Sequence, residues 1–246
     1  MTRARLFSLR ISATLCLLLP LFVVVRTLWY PSGYFEIFGV GKLLLIVAVA
    51  ALVAGPVLSA VVYKPGKKSL VFDLLVLACI EIVIVGWGTY EIAERRPVYT
   101  VFAVDRFEAV AAGEVDAARL RYTALLGRSA TAPRLIYAEL PTDVDAMNRL
   151  IDETVLYGMA DIDRRPEFWK PYPQGMPALK QAAIPLRKLL VEDGLQAAML
   201  RDWLQQRSLR AADYLFLPIR GSKADGTVIL HADVGYPVDV IAVDPW

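Results

Sequence analysis

Residues 63–73 read Tyr63-Lys64-Pro65-Gly66-Lys67-Lys68-Ser69-Leu70-Val71-Phe72-Asp73, a short basic turn set between two long apolar runs. Before it, Leu43 to Tyr63 is 21 residues without a charged side chain. At a rise of about 1.5 Å per residue, a helix of that length crosses a hydrocarbon core of about 30 Å. After it, Leu70 to Tyr90 is a second apolar run, broken by Asp73 and Glu81. A further run, Ile11 to Leu28, precedes both and follows Arg3, Arg5 and Arg10. The pattern predicts a membrane protein with three transmembrane helices at about 11–28, 43–63 and 70–90. These form a membrane domain, 1–94, ahead of a soluble domain, 95–246.

Composition supports the division. The chain is 57% hydrophobic, and the excess lies in the first third. Residues 1–96 carry ten Lys/Arg and five Asp/Glu, whereas residues 97–246 carry seventeen and twenty. The soluble part is mildly acidic and has no basic run, which argues against nucleic acid as a partner. Cys16 and Cys79 both sit in apolar runs, so the soluble part can hold neither a disulfide framework nor a thiolate zinc site.

A basic start followed by an apolar run also describes a cleavable signal peptide. This run ends instead in Arg26-Thr27-Leu28-Trp29-Tyr30-Pro31, without a small-residue cleavage pattern, and reads as an uncleaved anchor. Arg26 would snorkel to the interface, where Trp29 and Tyr30 would join the aromatic belt. Pro20 predicts a kink in this helix, and Gly55-Pro56 a bend in the next.

Lys/Arg asymmetry sets the expected orientation. The N-terminal tail holds three Arg and the Tyr63–Leu70 turn three Lys, whereas Lys42 is the one cation in the Trp29–Lys42 connection. Tail and turn are therefore expected in the cytoplasm, and the C-terminal domain in the periplasm of a Gram-negative cell. Arg95 and Arg96 run against this bias.

Three features of the membrane part invite a functional reading. Ala51, Gly55 and Ser59 stand four apart and form one smooth face, which packs either on the protein's own helices or on a partner's helix. Asp73, in the first turns of a helix capped by Ser69, is explained by the helix dipole and by Lys67 and Lys68. Glu81, near mid-membrane, must be neutral, paired or hydrated. No other charged residue stands at a matching depth, so Glu81 is either protonated and packed in the bundle or turned toward a partner.

The soluble part is expected to be α+β with a mainly antiparallel sheet. Val98–Val104 reads as a buried strand continued by Arg106–Val110, and Gly113–Leu120 as a short helix. Arg134–Glu139 is a further strand. A helix capped by Thr142 runs to Tyr157 with Val144, Met147, Leu150, Ile151 and Val155 on a helical period. A loop with four prolines spans Asp163–Pro177 and holds Phe168-Trp169-Lys170-Pro171-Tyr172, an aromatic segment for the core or for a partner. Helices follow over Ala178–Val191, interrupted by Pro185, and over Gly194–Gln206. Tyr214–Ile219, Thr227–Ala232 and Pro237–Val243 close the chain as strands, the first two joined by a hairpin turn at Gly221–Gly226.

Catalytic signatures are missing from the sequence. His231 is the single histidine and falls in a strand. Ser222 and Lys223 are neighbours on a hairpin tip, poorly placed to act as nucleophile and base. Asp143/Asp145 and Asp161/Asp163 lack the Gly and Glu that complete a calcium loop. The expectation is a non-enzymatic protein with no catalytic residue, no cofactor and no metal.

Several segments occur in a distinctive order: Trp29-Tyr30-Pro31, Gly55-Pro56-Val57-Leu58, Tyr63-x-Pro65-Gly66-Lys67-Lys68-Ser69-Leu70-x-Phe72-Asp73-Leu74, Trp87-Gly88, and Arg96-Pro97-Val98-Tyr99-x-Val101-Phe102-x-Val104-Asp105-Arg106-Phe107. Their order and spacing resemble the type IV pilin accessory proteins of the TfpX/TfpZ kind over roughly residues 29–107. The resemblance implies an inner-membrane protein that assists a cognate pilin and influences how much of it is assembled at the surface. Orientation alone does not demand the order of the Pro65-Gly66-Lys67-Lys68-Ser69 turn, and a reader on the cytoplasmic side, the inner-membrane pilus assembly platform, is the expected second partner. Family members often carry an Asp where this chain has Ala51, and a Gln where it has Glu81. Candidate contact or signature positions are thus Ala51, Gly55, Pro56, Ser59, Lys64, Pro65, Gly66, Lys67, Lys68, Asp73, Glu81, Arg96, Pro97, Asp105, Arg106 and Phe107. A non-enzymatic envelope sensor or scaffold with an unrelated partner is the alternative.

Overall fold

The structure, a computed structural model, describes residues 2–125, 132–190, 195–206 and 210–246. The chain forms two compact units. One comprises residues 1–28 and 40–94; the other comprises 29–39 and 95–246.

The first unit is helical. Helix α1 (Arg3–Val24) is capped by Thr2, whose side chain accepts from the Arg5 amide, and runs on into a π-helical turn, Val25–Trp29. Helix α2 (Tyr34–Ile37) belongs to the other unit and is taken up below. Helix α3 (Val40–Leu52), a π-helical turn (Val53–Val57) and helix α4 (Leu58–Val62) follow one another without a break. Helix α5 spans Leu70–Glu94. The three continuous helices, Arg3–Trp29, Val40–Val62 and Leu70–Glu94, have 27, 23 and 25 residues, and each is long and apolar enough to cross a membrane.

Two bends expected at prolines take different forms. Helix α1 continues through Pro20 as a single α-helix. Pro56 lies inside the π-helical turn of the second span. There the wider turn accommodates a ring that blocks the usual hydrogen bond and a residue that offers no N–H. Large apolar side chains such as Leu19, Leu45, Val61, Phe72 and Ile82 are exposed along all three spans, a surface suited to lipid and not to water.

The second unit is built on a seven-stranded sheet. Its strands are β1 (Pro97–Ala103), β2 (Arg106–Ala111), β3 (Arg134–Ala138), β4 (Trp169–Pro171), β5 (Tyr214–Arg220), β6 (Asp225–His231) and β7 (Pro237–Ile241). They are ordered β4-β3-β1-β2-β5-β6-β7. The β1–β3 and β2–β5 pairs are parallel, and the other four are antiparallel. The sheet is therefore mixed, which corrects the mainly antiparallel expectation. Alternation along a strand reveals its faces but not its neighbours. Here the chain leaves β2, builds its helical middle and returns beside β2 as β5, and that long return makes the central junction parallel.

A second correction concerns the start of the sheet. The stretch read as one strand is a hairpin that turns at Val104-Asp105 and sets Ala103 opposite Arg106. Val104 takes φ of 59°, a left-handed conformation that is costly for a β-branched residue. No Gly or Asn marks this turn, so turn chemistry could not signal it. The helix expected over 113–120 is two short 3₁₀ turns, Ala112–Glu114 and Ala117–Arg119.

Helices α6 (Val144–Val155), α7 (Met176–Ala182), α8 (Leu186–Leu189) and α9 (Leu195–Gln206) accompany the sheet. Asp143, not Thr142, caps α6, its carboxylate accepting from the Ala146 amide at 2.9 Å. Of the apolar period read along α6, Leu150 is buried and Met147 half-buried, whereas Val144, Ile151 and Val155 are exposed. Only one flank of the helix docks. The expected end of a helix at Val191 and the start of the next at Gly194 lie outside the described residues.

One core lies under β1 and β3 and gathers Val101, Ile136, Leu150 and Trp169. A second gathers Leu200, Trp203, Phe216 and Ile229 under α9. Trp169 and Tyr172, from the proline-rich loop, are both buried, which assigns these two aromatic side chains to packing.

The division at 94/95 drawn from sequence leaves Trp29–Gly39 with the helices. In the structure this segment packs within the sheet unit. Gly33 donates its amide to the Val240 carbonyl at 2.8 Å, and the Ile37 carbonyl accepts from the amides of Lys223 and Ala224. Tyr34, on α2, is buried with its hydroxyl 2.7 Å from Thr100 Oγ1 of β1. Gly33 is required by this approach, since a β-carbon there would lie 2.5 Å from the Val240 oxygen.

Candidate functional site

Polar side chains from all three spans meet inside the helical unit. Glu81, at the middle of α5, is 3% exposed. Arg10 of α1 donates Nη2 to Glu81 Oε2 at 3.0 Å and Nε to Ser59 Oγ of α4 at 3.1 Å. One turn on from Arg10, the buried Thr14 hydroxyl donates to Glu81 Oε1 at 2.5 Å. Each carboxylate oxygen thus has a donor from α1, and the guanidinium also ties α1 to α4. A buried ion pair is tolerated when further hydrogen bonds engage its polar atoms, as Thr14 does at Glu81 Oε1 and Ser59 at Arg10 Nε.

Small residues make this approach possible. Gly55 lies against the Glu81 carboxyl group, and a β-carbon there would stand 2.7 Å from both oxygens. Ala51 and Ser59, on the same face, are fully buried. A methyl at Gly88 would strike the side chain of Val47. Of the two readings of the Ala51/Gly55/Ser59 face, the structure shows the internal one, with the face covered by the protein's own helices.

Glu81 is therefore paired, contrary to the expectation that no charge stood at its depth. By sequence, Arg10 falls in the tail because the apolar run begins after it, at Ile11. The helix begins eight residues before that run, at Arg3. The available signal was the Arg10/Thr14 spacing, which puts both residues on one helical face.

The basic turn joins the amino-terminal end of α1. Arg3 Nη2 donates to the Tyr63 carbonyl at 3.2 Å. Lys67 Nζ lies 2.5 Å from Asp73 Oδ2, and Ser69 Oγ lies 3.4 Å from the same atom. Asp73 is thus engaged at the start of α5. Gly66 has φ of 79°, a conformation the tight turn demands and glycine supplies. Lys64, Pro65 and Lys68 are exposed, and Pro56 is buried in its π-turn.

In the sheet unit, Arg96 places its guanidinium 5.7 Å from the Trp29 ring, which brings together two of the distinctive sequence segments. Pro97 opens β1 opposite Ala111. Phe107 is fully buried, its ring 5.2 Å from that of Phe102 and 6.4 Å from that of Tyr172. Arg106 lies 3.7 Å from Asp105 and 3.5 Å from Glu108, and its guanidinium sits 5.7 Å from the Trp246 ring.

Sequence reading passed over Glu108 and its surroundings. Glu108 of β2 is buried, and its Oε1 lies 3.5 Å from both Arg106 Nε and Arg220 Nη1 of β5. Burial pushes its carboxyl up to about 7, helped by the negative charge of Asp163 and opposed by Arg220, Arg164 and Arg106. Asp163 is also buried and also raised, mainly by burial, against the Arg164 guanidinium that pairs with it. The group straddles the parallel β2–β5 junction, where Glu108 is aligned with Arg220.

A cavity of about 350 Å³ is lined by Arg121, Tyr122, Glu139, Asp143, Phe168 and Lys170, with Lys170 and Glu139 paired to each other. Among the described residues, no three His, Cys, Asp or Glu side chains are placed to hold a metal ion. His231 ends β6, exposed, its ring 5.0 Å from that of Tyr214.

No family model matches the chain, and no solved structure matches it. Curated relatives do. A "Fimbrial assembly protein, serogroup I" of Dichelobacter nodosus is 25% identical over 206 residues, 80% of this chain and 77% of the relative. The serogroup E1 protein of the same organism is 25% identical over 234 residues, 89% of this chain and 88% of the relative. The protein of serogroups C1 and C2 is 30% identical over 89 residues, 35% of this chain and 68% of the relative. The chain belongs to the family of these fimbrial assembly proteins.

Proposed function

We propose that the protein is a membrane-anchored accessory factor of type IV pilus biogenesis, which assists or stabilises a cognate pilin and sets how much is assembled at the surface. The observation that carries this reading is the likeness, over four-fifths or more of the chain, to two proteins named for fimbrial assembly. The resemblance to TfpX/TfpZ-type pilin accessory proteins supplies the finer role. It acts by binding and not by catalysis. The sheet unit receives the pilin head, and the exposed apolar surface of the spans meets lipid and the pilin's membrane helix. The inner-membrane assembly platform is the second partner.

Two observations support three crossings with the sheet unit in the periplasm. Trp29–Gly39, after the first span, and residues 95–246, after the third, form one compact unit and so share a side, as they do when the second and third spans both cross. Arg3 and Arg5, with Lys64, Lys67 and Lys68, gather at the opposite ends of the spans, where the positive-inside bias puts the cytoplasm.

Deletion of the gene, with surface pili and total pilin measured in parallel, tests the role. The reading expects surface pilin to fall; unchanged pili and unchanged pilin would overturn it. Alkaline phosphatase fused after Trp246 is expected to be active, and an inactive fusion of full length would reverse the orientation.

A further inference from the structure

We propose that the Arg5/Lys64/Lys68 end of the helical unit is a binding site for the phosphate headgroup of an anionic phospholipid. Two segments distant in sequence build it. The Arg3–Tyr63 hydrogen bond at 3.2 Å fastens the first turn of α1 to the start of the basic turn, and Leu6 and Tyr63 are buried at this end. Five cations are thereby collected on residues 3–5 and 64–68, and Asp73 is the one carboxylate on residues 2–10 and 63–73.

Their engagements differ. The Arg3 guanidinium is held by the Tyr63 carbonyl and Lys67 by Asp73, so both serve the turn itself. Arg5, Lys64 and Lys68 are exposed, and their side-chain cations have no hydrogen bond or ion pair among the described residues. The tight left-handed turn at Gly66 sets Lys64 and Lys68 on either side of one bend.

Below the cations the surface is apolar. Val71 and Phe72 open α5 at 70% and 68% exposed, and Leu9 of α1 is 62% exposed. Cations above exposed apolar side chains match a molecule with a phosphate above acyl chains. Orientation alone needs only an excess of positive charge on one side. It does not need a hydrogen bond that draws two distant basic segments together. A cluster of this size at a span end attracts anionic headgroups, each cation adding to the pull. An acidic protein segment would satisfy the charges but leave the apolar surface beneath them uncovered. The inference rests on the spanning reading of the three helices and not on the pilus role.

The test uses the full chain purified in a neutral maltoside detergent. Native mass spectrometry counts phospholipid retained from equimolar phosphatidylglycerol and phosphatidylcholine. Wild type is compared with an Arg5→Ser/Lys64→Ser/Lys68→Ser variant, with an Arg5→Lys/Lys64→Arg/Lys68→Arg variant, and with an Arg187→Ser/Lys188→Ser control. Preferential retention of phosphatidylglycerol is expected, falling about tenfold or more in the serine variant and kept in the other two. Equal helix content by circular dichroism establishes that the serine variant is folded. Undiminished retention in the serine variant, or equal retention of the two lipids, would overturn the proposal. So would displacement of the lipid by millimolar inorganic phosphate, which would make this a site for soluble phosphate, or by a poly-glutamate peptide, which would make it a protein contact. The alkaline phosphatase fusion separately tests the spans, and gene deletion the pilus role.

Discussion

Arg10 and Glu81, 71 residues apart, meet at 3.0 Å in the interior of the three-helix unit. Their side chains are 15% and 4% exposed. Removing one partner strands a buried charge, which costs about 3–5 kcal/mol, whereas replacing both with apolar residues can be nearly neutral. Arg10→Leu and Glu81→Leu are each expected to lower the melting temperature in detergent more than the double variant does. A double variant as unstable as the sum of the two would dismiss the coupling.

Gly55 and Gly86 make opposite predictions. A β-carbon at Gly55 meets the Glu81 carboxylate at 2.7 Å, and one at Gly86 meets nothing within 4 Å. Gly55→Ala is expected to destabilise the helical unit, by about 1–3 kcal/mol if neighbours shift to admit it. Gly86→Ala is expected to stabilise by up to about 1 kcal/mol through helix propensity. Thermal unfolding followed by helical circular dichroism separates the two. If both glycines behave alike, the close approach at Gly55 is wrong.

Val104 carries strain at φ of 59° on an exposed two-residue turn. Val104→Gly removes the left-handed penalty, about 1–2 kcal/mol for an L-residue, and Val104→Asn reduces it. Both are expected to raise the melting temperature. A fall would mean that the Val104 side chain makes a contact more valuable than the strain it costs.

Tyr34→Phe probes the segment between the first two spans. Tyr34 and Thr100 share a hydrogen bond of 2.7 Å where both are buried. Removing the phenol leaves the Thr100 hydroxyl without that partner, at a cost of about 1–3 kcal/mol. Hydrogen exchange should quicken in β1, and unchanged protection there would detach the segment from the sheet.

Glu108 predicts a pH dependence. Its folded value is raised from 4.5 to about 7, so the folded state holds a proton that the unfolded state releases at lower pH. The stabilising contribution is fully present below about 4.5 and is lost as pH rises through about 7. Raised Asp163 acts in the same direction. Glu108→Gln should flatten stability against pH over this window, as read by chemical denaturation of the full chain between those limits. A slope equal to that of wild type would show that Glu108 is not the group responsible.

Much of the framework was legible in the chain. Three apolar runs of spanning length, the turn at 63–70, and strands at 134–138, 214–220, 225–231 and 237–241 all rest on local patterns of hydrophobicity and turn residues. The short strand β4 escaped because three residues, the last of them Pro171, carry no alternation to read. The Val104-Asp105 turn escaped because it breaks the residue preferences of such turns.

By itself, then, the sequence determined which segments are apolar enough for lipid, where the chain must turn, and which residues mark the family resemblance. Those are properties of neighbouring residues. The tertiary structure alone decided that Arg10 answers Glu81, that Gly55 makes room for the carboxylate, that Trp29–Gly39 joins the sheet, and that β2 and β5 run parallel. Each of these pairs residues far apart in the chain. Hydrophobic pattern fixes the face a residue presents, but the partner on that face depends on how every other segment packs.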